Sequence, residues 1–206
     1  MEILHPTGQK NERRNLVSTI FVVILIGLAY QEMVAPLRES VRAHGITLGT
    51  AILFVVFFLT SMRFFVGNQL HLMSEGLLKM KGEVWFFDLM VIVLQTTILI
   101  FLGGVTSVQA SRGGRLGFFD LLTALYLLDV LWILSQWVLG QTLKGWRRSF
   151  IPWAWCLLNA ALIAGMVVVR LTLGDLHADG ALIWLALLNS VAFVVDVMLV
   201  HYYDLL

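Results

Sequence analysis

Charge is scarce in this sequence. Asp, Glu, Lys and Arg make up 13% of 206 residues, about half the share of a soluble domain. Cysteine occurs once, as Cys156, so no disulfide framework can form within the chain. A net charge of +1 says nothing for acidic partners, and no basic patch interleaved with aromatics supports nucleic-acid binding. The short catalytic signatures are missing too: there is no HExxH, C-x-x-C, P-loop or G-x-S-x-G. Neither an enzyme, a cofactor nor a metal is expected from such a chain.

Apolar residues fill the space that charge leaves. They account for 59% of the chain, and the mean hydropathy is +0.88. They fall into six runs, at about Leu16–Ala35, Ile46–Phe65, Val84–Val105, Gly117–Leu139, Phe150–Leu171 and Gly180–Tyr202. A helix needs about 20 apolar residues to cross a ~30 Å hydrocarbon core. In lipid only helices or closed barrels satisfy the backbone, and these runs are too long and continuous for barrel strands. The expected fold is an all-α integral membrane protein, a single transmembrane domain of six helices over residues 1–206.

The first run needs one check. Lys10, Arg13 and Arg14 precede it, and Gly27-Leu28-Ala29 has the small-x-small form of a signal cleavage site. The apolar run continues past Ala29, so a retained helix is expected. Connections between runs are short. The stretch Ser111–Gly117 reads as a turn through Gly113 and Gly114, and Asp175, His177, Asp179 and Gly180 mark another.

Basic residues set the expected orientation. One side collects Lys10, Arg13, Arg14, Lys79, Lys81, Lys144, Arg147 and Arg148; the other has Arg38, Arg42, Arg112 and Arg115, with Arg170 at the edge. The positive-inside rule then puts both termini in the cytoplasm, in a membrane of the bacterial inner type. Trp85, Trp137, Trp146, Trp153, Trp155, Tyr202 and Tyr203 cluster at the same level, where amphipathic rings anchor; Tyr30 and Trp184 mark the opposite one.

Polar residues inside the runs carry the functional interest. They recur at i, i+7 as Asp88 with Gln95, Asp129 with Gln136, and Asn189 with Asp196, each pair on one helix face. With Arg63 and Asn159 they predict two polar layers. Arg63, Asp88, Gln136 and Asp196 form the inner one; Gln95, Asp129, Asn159 and Asn189 lie above. Ionisable groups at such depth cost about 2.5–3.5 kcal/mol even on lenient scales, so they are expected to face inward and pair. Arg63 is expected to meet Asp88, Asp196 or both, and Asp129 has no basic partner at its depth.

Histidines do not suggest haem. His44 and His71 are 27 residues apart, about 40 Å along a continuous helix, which puts both rings at the surfaces. His71 and Glu75 share a face, and with Asn68 and His201 they outline a candidate cytoplasmic ligand site. Small residues mark close helix approach at Gly45 and Gly49, and at Ala160, Ala161, Ala164 and Gly165.

Two functional expectations follow. The first is a channel or transport-type bundle, acting as a homo-oligomer, with Arg63, Asp88, Asp129 and Asp196 along its path. The second is a membrane subunit of a hetero-complex, as in stress or phage defence, whose cytoplasmic protein partner supplies the activity. Its contacts would be Lys79, Lys81, Lys144, Arg147 and Arg148.

Overall fold

The computed structural model describes residues 6–73, 82–107, 112–142, 151–173 and 179–204, and these form six helices. They are α1 (Pro6–His44), α2 (Leu48–Met73), α3 (Gly82–Ser107), α4 (Arg112–Thr142), α5 (Ile151–Leu173) and α6 (Asp179–Asp204). Each holds a stretch long and apolar enough to cross a membrane. Every described residue outside 45–47 is helical.

Local chemistry explains the ends. Pro6 and Pro152 sit in first turns, where a missing N–H costs nothing. α1 stops at Gly45, whose φ of +74° favours glycine. Its N–H bonds the Val41 carbonyl at 3.0 Å, an αL cap. Gly45 therefore ends α1, and the spacing from Gly45 to Gly49 is no packing motif. Thr47 then caps α2 by accepting from the Thr50 N–H at 3.2 Å. The expected turn at Ser111–Gly117 is also revised: Arg112–Gly117 is the first part of α4. Glycine in a helix costs only about 1 kcal/mol relative to alanine, too little to outweigh the helical run that follows.

The helices close a ring. α1 packs most extensively on α3, α3 on α4, α4 on α5, α5 on α6, α6 on α2, and α2 on α1, with a further α2–α3 contact. Side-chain pairs give the directions. Thr19 meets Gln69 and Tyr30 meets Ser61, so α1 and α2 are antiparallel. Thr60 meets Asn189 and Arg63 meets Asp196, so α2 and α6 run the same way. The end at which α2, α4 and α6 finish is called the base below.

The distribution of polarity is the reverse of a soluble bundle's. Exposed faces carry Phe21, Phe86, Phe101, Leu131, Leu157 and Val191, while Arg63, Asp88, Gln95, Asp129, Asn159, Asn189 and Asp196 are buried. The apolar core lies toward the end opposite the base, around Phe57, Leu99, Leu102, Phe118, Leu122 and Leu182. Gly103 lets α1 and α3 touch there: a Cβ on it would lie 2.8 Å from the Ala29 carbonyl oxygen. On α5, Gly165 faces Leu188 of α6, whereas Ala160, Ala161 and Ala164 are exposed.

Candidate functional site: a buried polar core in three tiers

The basal tier is built on Asp88. This carboxylate is fully buried, and both its oxygens are engaged. Trp132 Nε1 donates to Oδ1 at 2.9 Å, Gln136 Nε2 donates to the same oxygen, and His71 Nε2 lies 3.1 Å from Oδ2. The His71 ring stands edge-on to Trp132 with centroids 4.6 Å apart and is 22% exposed. His71 is thus the one member of this tier within reach of solvent.

The middle tier joins five helices. Asn68 Nδ2 donates to Gln95 Oε1 at 3.2 Å, and Gln95 Nε2 donates to Asp129 Oδ1 at 2.9 Å. From the other side Arg63 Nη2 donates to Asn159 Oδ1 at 3.0 Å, and Asn159 Nδ2 donates to Asp129 Oδ2 at 2.5 Å. Arg63 Nε donates to Asp196 Oδ2 at 2.5 Å. Two amide relays therefore converge on Asp129. With an amide N–H on each Asp129 oxygen, the amide oxygens turn back toward Asn68 and Arg63.

The third tier is farthest from the base. Asn189 Oδ1 accepts from Tyr126 Oη and, at 3.2 Å, from Thr60 Oγ1. Its Nδ2 returns to the Leu185 carbonyl at 2.9 Å. Tyr126 links this tier to the middle one: the Arg63 guanidinium lies 5.5 Å from its ring centroid, within cation–π range.

The arrangement refines the two expected layers. Asp88 and Gln136 keep the basal level, Arg63 and Asp196 join Gln95, Asp129 and Asn159, and Asn189 stands apart. The long Arg63 side chain carries its head group to Asn159 and Asp196. Arg63 meets Asp196 and not Asp88, which is satisfied by His71, Trp132 and Gln136. Asn68 and His71 turn into the tiers. Glu75, Lys79, Lys81, Lys144, Arg147 and Arg148 lie outside the described residues, as does the His201 side chain. Among the described residues no cluster of His, Cys, Asp or Glu could hold a metal.

Sequence reasoning passed over Thr60, Tyr126 and Trp132 as members of the core. Their spacing was informative. Thr60 precedes Arg63 by three residues, Tyr126 precedes Asp129 by three, and Trp132 precedes Gln136 by four, so each shares a face with a residue already singled out. Tyr30, read as an outer anchor, also packs internally, with its hydroxyl 2.8 Å from Ser61 Oγ and its ring edge-on to Phe57.

The Arg63–Asp196 pair has further polar neighbours: the Tyr126 hydroxyl beside Arg63 and the Trp155 indole beside Asp196. Comparison with protein-family models, with curated proteins and with solved structures finds no match to the chain.

Proposed function

We propose that this is an integral membrane protein of the bacterial inner type, with both termini cytoplasmic, that works as a channel or transport-type bundle. The path runs along the three tiers from the base. An apolar exterior with a polar interior supports insertion, since in water such a surface would drive aggregation. The excess of Lys and Arg at the ends of the runs nearest the base supports the orientation.

One observation carries the transport reading: the middle tier gathers polar side chains from five helices around a buried ion pair, Arg63–Asp196, and a second carboxylate, Asp129. Ionisable groups at membrane depth are costly, and they mark ion, proton or solute paths. Three ionisable side chains linked by amides across five helices fit a bundle whose interior exchanges partners with water or solute during a cycle.

The test uses the purified full chain in liposomes. Ion or proton flux above protein-free vesicles is expected, with a clear change in Asp129→Asn. A silent wild-type protein that co-purifies with a soluble partner would favour the membrane-subunit reading instead.

A further inference from the structure

The formal charges buried in the bundle do not cancel. Among the described residues, one cationic group, Arg63, shares the interior with Asp88, Asp129 and Asp196. Arg63 is committed to Asp196 through Nε. Asp88 lies apart at the base, with Trp132 and Gln136 on one oxygen and His71 Nε2 3.1 Å from the other. Asp129 has only a share of that guanidinium: Arg63 acts on it through space and through Asn159, while Asp196 on α6 opposes and Cys156 lies near on α5. An uncompensated charge in a low-dielectric interior costs several kcal/mol, and one guanidinium cannot balance both Asp196 and Asp129, so the middle tier requires a further cation.

The ligand set decides which cation. Hard metal ions need several oxygens at once. Here both Asp129 oxygens are occupied by Gln95 and Asn159, and the amide oxygen of Asn159 is held by Arg63. The nearby guanidinium repels a metal ion further. A proton needs no ligand shell. We infer that Asp129 carries an exchangeable proton and that the species moved through the bundle is H⁺, an inference that rests on the transport reading for its second half.

The chemistry is simple. The proton adds to one carboxylate oxygen from one side and leaves to the other, regenerating the carboxylate. As a carboxylate, Asp129 accepts from both amides, as observed. As an acid it must donate, and Gln95 can accept if Gln95 and Asn68 turn their amides together. The Asn68–Gln95 bond survives that turn with donor and acceptor exchanged.

The experiment pairs infrared spectroscopy with flux, on the full chain in lipid. The wild type should show the carbonyl band of a buried carboxylic acid, lost in Asp129→Asn and retained, shifted, in Asp129→Glu. In Asp196→Asn the guanidinium is released to serve Asp129, so the band should vanish although Asp129 is still there. A merely structural Asp196 would not move it. Proton flux, read with a dye trapped inside the vesicles, should fall at least tenfold in both Asn variants. A band that survives Asp129→Asn, or that persists in Asp196→Asn, overturns the proton site. Sodium or potassium flux untouched by Asp129→Asn overturns H⁺ as the permeant species. A band that behaves as expected in a protein that conducts nothing leaves the proton site standing and removes the transport reading.

Discussion

Arg63 and Asp196 meet on two helices that run in the same direction, with Nε 2.5 Å from Oδ2 and a sequence separation of 133. The pair fastens the middle of the ring, because α2 and α6 are neighbours there. Arg63→Ala should destabilise the bundle by about 3–5 kcal/mol, the usual effect of stranding one partner of a buried pair. The double change Arg63→Ala with Asp196→Ala should lose less than the sum of the singles, with a coupling of about 1–3 kcal/mol. Equilibrium unfolding in mixed micelles measures both, and strict additivity would show that the pair contributes no net attraction.

Glycines rank by what a methyl group would strike. At Gly103 the obstacle is the Ala29 backbone oxygen at 2.8 Å, so α1 and α3 must separate. Gly103→Ala should cost about 1–3 kcal/mol. At Gly165 the obstacle is the Leu188 Cδ1 at 3.0 Å, which can rotate away, and Gly165→Ala should cost less. Gly27 has open space, and Gly27→Ala should gain about 0.5–1 kcal/mol. The order Gly103, Gly165, Gly27 in loss of melting temperature is the measured quantity, and any inversion contradicts the packing described.

The polar core was partly legible in the sequence because the background is so apolar. Against runs of Leu, Val, Ile and Phe, the i, i+7 recurrence of Asp88, Gln95, Asp129 and Gln136 stands out, and helical geometry alone places these residues on facing surfaces. The level of the Arg63 head group was not legible, since it depends on side-chain reach. Tyr126, Thr60 and Trp132 were hidden by their mixed character, each being mostly apolar with one polar atom. The extent of α1 was underestimated for a related reason: Arg38, Glu39 and Arg42 are exposed helical residues beyond the apolar run, and hydropathy sees only the run.

The αL cap makes a sharper backbone prediction. Gly45→Ala should destabilise by about 1–2 kcal/mol, because a Cβ meets the carbonyl in the left-handed region. Gly45→Asn should cost less, since asparagine tolerates that conformation. Melting curves of the two variants decide it; equal losses would mean that something other than φ is responsible.

Tyr126→Phe removes the hydroxyl that donates to Asn189 while leaving the ring stacked on Phe64 at 6.1 Å. A loss of about 1–2 kcal/mol is expected, the effect of leaving a buried acceptor under-satisfied. Thr60→Val should be milder, because Asn189 keeps the tyrosine. Unfolding of both variants and of the double change tests this, and a Tyr126→Phe protein as stable as wild type would remove the third tier as a source of stability.

The distance along the chain between Arg63 and its partners gives the order in which the molecule can be completed. During synthesis the guanidinium meets Asn159 only after 96 further residues and Asp196 only after 133. At roughly 5–20 residues per second, Arg63 waits on the order of ten seconds for its counter-charge. A chain that stops before α6 keeps that donor open, and the last helix is what turns an unfinished product into a closed one.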